Sequence, residues 1–401
     1  MDTITIVQKY GGSSVATIKQ IAGIAQHIKK LHDNGTAIVV VASAMGKTTN
    51  GLISLAEELA TAPNTRDMDF LLSTGEMQTV SLMSICLNDL GVPSVALTGF
   101  QAGIITNNNY SRAFITKMEI DRIKAFLKAG KVVVVAGFQG ITELGDITTL
   151  GRGGSDTSAV AIAAALGCPC EIYTDVHAVH TVDPRLFANS KSLHKISYDE
   201  MMEMAVNGAK VLEPRSVELA KKNNVPLYLG KTLSKEKNGT TISSDYDFET
   251  MPIKSMCIKD NVSVLNIEMK KNRFVDLSNI FYVIHKCNIN LEMISQVILD
   301  KTIIFSFGLP TGKEDEIIAC IKENVNLDNK QLSIVSNLSK ITLVGIGFAT
   351  HTEIPKNLFT MLAKNKILVG HISVSEISIS FTIKTEDKQS TINAIATEFS
   401  L

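Results

Sequence analysis

The run Val132–Ala136 (VVVVA) is apolar at every position, so as a strand it offers hydrocarbon to both sides of a sheet. Such a strand needs helices on both faces, which is the habit of parallel sheets. Similar short apolar runs recur over roughly the first 230 residues: Ile4–Gln8, Ala37–Val41, Val92–Leu97, Glu171–Thr174 and Val225–Leu229. Amphipathic segments lie between them. Ile18, Ile21, Ala22, Ala25 and Ile28 fall at helical spacing, and Asp156 to Gly167 is an Ala-rich helix. The pattern predicts an α/β sandwich, with ligands bound beyond the carboxyl ends of the strands.

Composition narrows the function classes. The chain has 401 residues, 39 Lys+Arg against 40 Asp+Glu, and 45% apolar residues, an ordinary globular balance. Two to four domains are expected at ~100–200 residues each. The near-zero net charge argues against bulk nucleic-acid or polybasic membrane binding. No apolar run approaches the ~18 residues of a membrane span, and MDTITIVQKYGG lacks the layout of a signal peptide. The expectation is a cytoplasmic protein with no nucleic-acid and no membrane partner. Its six cysteines (86, 168, 170, 257, 287, 320) are too scattered for a disulfide framework and are read as reduced thiols. Only Cys168 and Cys170 form a close pair, and nothing nearby completes a zinc site.

Residues 231–250 turn polar and rich in Gly, Ser and Thr, marking a domain boundary. Beyond it, residues 277–295 superpose on residues 355–373 at an offset of 78. Phe281/Phe359, Lys286/Lys364, Ile289/Ile367, Ile294/Ile372 and Ser295/Ser373 are identical. Apolar strands (Val262–Ile267 and Ile341–Ile346) precede the two copies, so the tail reads as two similar β-α-β modules.

Six segments in the first part can carry chemistry. Lys9-Tyr10-Gly11-Gly12-Ser13-Ser14-Val15 joins a strand to a helix. Its glycines let backbone N–H groups approach a phosphate, though a plain turn with a solvated lysine has the same sequence. Ser43-Ala44-Met45-Gly46-Lys47-Thr48-Thr49 is a near miss for a P-loop, with Val41 at the first glycine position. Ser73-Thr74-Gly75-Glu76 reads as the opening of a helix. There Glu76 could complement the helix dipole or bind a substrate ammonium. In Thr148-Thr149-Leu150-Gly151-Arg152-Gly153-Gly154-Ser155-Asp156, glycines surround an arginine whose planar fork suits a carboxylate. Asp156 there could be an N-cap. Thr174-Asp175 through His180 to Asp183-Pro184-Arg185 could hold a nucleotide, and Gly208–Arg215 (GAKVLEPR) adds Lys210 and Arg215. His177 and His180 find no third metal ligand in the sequence.

Together these segments resemble the aspartate kinases (aspartokinases) of the amino-acid kinase family. K-F-G-G-T-S-V appears as KYGGSSV, S-A-M-G-x-T-T-[ND] as SAMGKTTN, S-x-G-E as STGE, and T-T-L-G-R-G-G-S-D unchanged. T-D-V-x-x-x-x-T-x-D-P-R appears as TDVHAVHTVDPR and G-A-K-V-L-H-P as GAKVLEP, while the tail repeat looks like the family's paired ACT modules. The resemblance implies a three-layer αβα sandwich with a mainly parallel sheet over 1–245, then α+β ACT modules over 255–336 and 337–401. It implies ATP-dependent phosphorylation of the β-carboxylate of L-aspartate, with Mg²⁺, as the first step toward lysine, threonine and methionine. It implies feedback by an end-product amino acid, lysine or also threonine, and a homodimer or higher homo-oligomer through the ACT modules.

Carried over residue by residue, Lys9 and Asp156 are catalytic. Ser43, Thr49, Glu76, Arg152 and Ser155 hold the substrate, with Arg152 on its α-carboxylate and Glu76 on its ammonium. Lys9, Gly11, Gly12, Ser13, Thr174, Asp175, His180, Arg185, Lys210 and Lys231 contact ATP. Tyr10, Ser13, His180 and Glu213 depart from the family's usual Phe, Thr, Tyr and His, and the first ACT copy lacks the frequent D-x-P-G loop. A relative acting on glutamate or an N-acetylated amino acid is the competing enzyme reading, against which Glu76 and Arg152 together argue for a free α-amino acid. A catalytically dead sensor would be expected to lose Lys9 or Asp156, and both are present.

Overall fold

The computed structural model describes residues 4–234, 236–244, 253–270, 274–287, 289, 291–325, 331–348 and 351–401. The chain divides into two compact units, residues 1–181 with 190–250, and residues 182–189 with 251–401. The expected division at 245 and part of the first module's strand–helix loop (271–273) lie outside the described residues.

The first unit is built on an eight-stranded sheet. Its order is Lys195–Ser197, Thr240–Ser243, Leu227–Lys231, Cys170–Thr174, Thr5–Tyr10, Ala37–Ala42, Val132–Ala136, Ser94–Leu97. All neighbours are parallel except the pair Leu227–Lys231 and Thr240–Ser243. The all-apolar run is buried at every position, as two covered faces require. On one face Val40 and Val134 pack with Ile24 and Ile28 of the helix Ile18–Asp33 and Met83 and Leu87 of the helix Thr65–Asp89. The Ala-rich helix Gly154–Leu166 packs against strands Thr5–Tyr10 and Ala37–Ala42 and is buried along most of its length. Thr65–Asp89 is, among the described residues, the one helix with the length and mean apolarity of a membrane span. It is a core helix that buries Asp69 and Glu76 against the protein.

Several local expectations are corrected. The strand ends move by one or two residues, and Val225–Leu229 becomes Leu227–Lys231. A second, four-stranded sheet (Ile115–Met118, Ile104–Thr106, Gln139–Thr142, Ile147–Thr149) has no counterpart in the sequence reading. Its three- and four-residue strands are too short to carry an alternation. Ser73–Glu76 lies in the middle of a 25-residue helix, so Glu76 is not at the N-terminus of its helix. The Ala-rich helix starts at Gly154 with Gly153 as its N-cap, so Asp156 is not the cap.

The second unit carries one six-stranded antiparallel sheet: Met293–Ile298, Thr302–Pro310, Ser255–Lys270, Leu332–Val344, Ser378–Lys384, Ile372–Val374. Each copy of the repeat is larger than β-α-β. Helices Phe274–Lys286 and Glu353–Lys364 are followed by two strands and a further helix, Glu314–Asn324 or Lys388–Glu398. The central strands of the two copies pair with each other, with Lys259 opposite Lys340. Strand Leu332–Val344 runs through the expected division at 336/337 and ends before Ile346. Each copy has its own core, around Phe307 and Ile321 or around Phe381 and Ile395. Val182, Leu186 and Phe187 pack with the second of these.

Candidate active site

The loops that leave the parallel strands are laced together at one rim of the first unit's sheet. Each accepts register from the neighbouring strand: Thr232 N donates to Thr174 O, Gly11 N to Tyr173 O, Ser43 N to Tyr10 O, and Gly137 N to Ala42 O, all at 3.0–3.2 Å. Gly46 N also donates to Gly12 O at 3.0 Å, and a Cβ on Gly12 would lie 2.9 Å from Ala44 O. Glycine at position 12 is therefore what lets the first two loops touch.

Successive residues of a strand face opposite sides of the sheet. Tyr10 is consequently buried among the helices of one face, and Lys9 points to the other. There its Nζ lies 2.7 Å from Asp156 Oδ1, with each side chain about one-tenth exposed. The contact is an ion pair without hydrogen-bond alignment, since Asp156 Oδ1 has no hydrogen-bond partner. Asp156 sits in the first turn of the Ala-rich helix, where N–H groups and the dipole favour negative charge. Arg152, exposed just before that turn, and Ser155, buried in it, complete this corner.

Glu76 reaches the same rim from the opposite face. A Cβ on Gly75 would lie 2.9 Å from Ala44 Cβ, so glycine there lets the long helix approach the Ser43–Thr49 loop closely. Glu76 Oε1 accepts from Ala44 N at 3.0 Å, while Oε2 is buried without a hydrogen-bond partner. Burial pushes the carboxyl up to about 7, against the pull of the Ala44 N–H. A buried carboxyl held half-satisfied is suited to an incoming cation. Ser43, on the intervening loop, and Thr49, in the first turn of the helix Thr48–Leu59 that follows it, are half-buried.

The nucleotide candidates separate into two groups. Thr174, Asp175 and Lys231 lie beside the glycine loop: Thr174 Oγ1 donates to Asp175 Oδ1 at 2.9 Å, Thr232 Oγ1 bonds Thr174 O and Ser14 Oγ, and Lys231 Nζ is 3.3 Å from His177 Nε2. Gly11 is buried, Gly12 half-buried and Ser13 exposed on that loop. His180 is half-buried with its Nδ1 3.3 Å from Ser190 Oγ, and Lys210 is exposed. Arg185 is exposed, belongs to the second unit and pairs with Asp183 at 2.6 Å. Among the described residues no group of three His, Cys, Asp or Glu forms a metal cluster. Cys168 is pushed up to about 11 by burial, so the Cys168/Cys170 pair supplies no thiolate.

Glu213 packs onto the arginine loop. Gly153 has φ +61°, and a Cβ there would lie 2.3 Å from Glu213 Cβ. Burial and Asp156 raise the Glu213 carboxyl, while Arg152, Arg112 and Arg215 pull it down. Sequence reasoning missed Asp69, a fully buried carboxylate seven residues before Glu76, and left Arg215 as an undirected cation. Neither has a signal in the sequence: the burial of Asp69 and its place two helical turns before Glu76 on one helix appear only in the structure.

Residues 5–231 match the amino acid kinase family, and residues 341–399 match an ACT domain. An aspartokinase of Bacillus sp. (strain MGA3) is 40% identical over 400 residues, covering 99% of this chain and 97% of its own. Aspartokinase 2 of Bacillus subtilis is 39% identical over 99% and 98%. The fold is similar to that of E. coli aspartokinase III in complex with aspartate and ADP, with a TM-score of 0.81 and 22% identity over 98% of this chain and 99% of that one. The same enzyme in complex with lysine and aspartate superposes with a TM-score of 0.77 at 23% identity, over the same shares. A family match over residues 5–231, with end-to-end identity near two-fifths to curated aspartokinases, makes this chain a member of the amino acid kinase family, among its aspartokinases.

Proposed function

We propose that this kinase transfers the γ-phosphoryl group of ATP to the β-carboxylate of L-aspartate, giving 4-phospho-L-aspartate. The observation that carries the reading is Glu76, a buried carboxyl with one oxygen bonded to Ala44 N and the other unpartnered, on the rim that holds Arg152. That arrangement suits an ammonium on one side and a carboxylate on the other, which is a free α-amino acid. An aspartate side chain has a pKa near 3.9 and is already ionised at neutral pH, so the acceptor needs no general base. The task is to bring two anions together and stabilise the moving charge, which is work for positioned cations.

In this reading Lys9 neutralises charge on the transferring group and Asp156 keeps its ammonium aimed along the helix N-terminus. Arg152 takes the α-carboxylate, Glu76 the ammonium, and Ser43, Thr49 and Ser155 the remaining substrate oxygens. Gly12 and Ser13 offer N–H groups to the phosphates, while Gly11, whose own N–H is bonded to Tyr173 O, leaves room for them beside the Lys9 ammonium. Thr174, Asp175, His180, Lys210 and Lys231 contact the nucleotide. Mg²⁺ would be held with the nucleotide through Asp156, whose Oδ1 is buried without a hydrogen-bond partner, since magnesium commonly keeps waters and takes only one or two carboxylates. It would supply charge neutralisation at the transferring group.

Residues 1–245 would form the catalytic domain and residues 255–336 and 337–401 the two ACT modules. These would bind lysine, alone or with threonine, and join copies of the chain into a homodimer or larger assembly. The product would feed lysine, threonine and methionine synthesis in the cytoplasm. The test is an assay with ATP, Mg²⁺ and L-aspartate in which hydroxylamine traps the acyl phosphate, with lysine and threonine added separately and together. Aspartate-dependent hydroxamate is expected; its absence, with hydroxamate from glutamate instead, would overturn the substrate assignment.

A further inference from the structure

Asp69 and Arg215 grip one short piece of backbone from two different helices. Asp69, fully buried on Thr65–Asp89, accepts from Ser111 N at 2.8 Å, Thr149 N at 2.8 Å and Thr149 Oγ1 at 2.7 Å. Arg215, in the first turn of the helix Pro214–Lys222, donates to Leu150 O at 3.1 Å and Ala113 O at 2.9 Å, with its guanidinium 4.6 Å from the Phe114 ring centroid. Both therefore join segment 111–114 to residues 149–150. Ala113 N donates to Thr149 O at 2.9 Å and Leu150 N to Phe138 O at 2.8 Å. Every backbone donor and acceptor of Thr149 and Leu150 is thus engaged.

The next residues are Gly151 (φ +78°), Arg152 and Gly153 (φ +61°), after which the Ala-rich helix begins. Arg152 hangs on a glycine-flanked span between a fully bonded dipeptide and a buried helix. The glycines supply no rigidity of their own. Its aim is decided by how firmly the Thr149–Leu150 end is held.

We propose that Asp69 and Arg215 are positioning residues, an oppositely charged pair that fixes the root of the Arg152 loop and thereby sets affinity for the amino-acid substrate. Neither touches the substrate. A buried carboxylate receiving two backbone N–H groups and a guanidinium forked across two carbonyls are charge-assisted bonds with directional geometry. A neutral or apolar side chain reproduces neither. The proposal rests on the assignment of Arg152 to the substrate's α-carboxylate.

The experiment compares Asp69→Asn, Arg215→Met and Arg215→Lys in the full chain. The Michaelis constant for aspartate is expected to rise about tenfold or more in the first two, with that for ATP within about twofold. Arg215→Lys, which keeps the charge but cannot span both carbonyls, is expected to fall between Arg215→Met and wild type. A purely structural role would lower the melting temperature and leave the aspartate constant unchanged, and that result would overturn the proposal. Hydrogen exchange at Thr149–Arg152 provides a readout independent of catalysis, and protection there should drop in Arg215→Lys, the mildest change. Unaltered protection would equally overturn it. If wild-type protein fails to phosphorylate aspartate, the functional reading falls while exchange still decides the anchor.

Discussion

Glu76→Gln isolates a cost that the active site imposes on the fold. The Glu76 carboxyl is pushed from 4.5 up to about 7 because burial removes hydration that the single Ala44 N–H does not replace. In the unfolded chain it titrates near its ordinary value. Between pH 4.5 and 7 the folded state therefore binds the proton that the unfolded state releases, and stability falls as pH rises through that window. At ~1.4 kcal/mol per pH unit the loss reaches about 3 kcal/mol by pH 7 and stays level above it. Glutamine keeps the Ala44 bond and does not titrate, although its buried amide costs roughly 1–3 kcal/mol at every pH. The difference in unfolding free energy between wild type and variant should thus shift in the variant's favour by about 3 kcal/mol between pH 4.5 and 7. Urea melts at half-unit intervals measure it. Parallel stability curves would refute the argument, because they would mean that a cation inside the protein already neutralises Glu76. Aspartate supplies such a cation, so substrate binding at pH 6.5 should release protons in wild type and not in the variant. Calorimetry in buffers of different ionisation enthalpy reads that release.

Lys9→Ala should lower turnover by ~10²–10³, the scale of one lost contact to developing charge; wild-type turnover would exclude Lys9 from the transfer step. Arg152→Ala should chiefly raise the aspartate Michaelis constant, and an unchanged aspartate saturation curve would reject the clamp. Gly153→Ala should destabilise the protein by at least ~1–2 kcal/mol from the left-handed backbone alone, with the overlap on Glu213 Cβ added, and an unaltered thermal melt would contradict that. Truncation after Ser244 removes the core that buries Val182 and packs Leu186 and Phe187. The fragment should bind an apolar dye and melt less cooperatively than the full chain, and a sharp, dye-free melt would show that segment 182–189 needs no partner core.

The parts of this protein that repeat a local rule were legible from the sequence. Val132–Ala136 required a covered sheet because every side chain in it is apolar. KYGGSSV and TTLGRGGSD declared backbone sites because adjacent glycines have few other uses between a strand and a helix. The tail declared itself double because like cores need like residues, as at Ile289 and Ile367, both buried. What depended on distant chain segments meeting was not legible. Glu76 read as a helix-start residue because its helix begins eleven residues earlier, and only the approach of Gly75 to Ala44 gives its carboxyl a role. The residues around Asp156 left a plain cap open, and the packing of the Ala-rich helix on strand Thr5–Tyr10 brought Lys9 to it across 147 positions. The short second sheet was invisible because strands of three or four residues take their stability from their neighbours. Asp69 and Arg215 carry no local signature, since all but one of the hydrogen bonds described for them, that from Thr149 Oγ1, are to backbone N–H and C=O. Every residue except proline offers both groups, and only the tertiary fold decides which of them a buried charge will find.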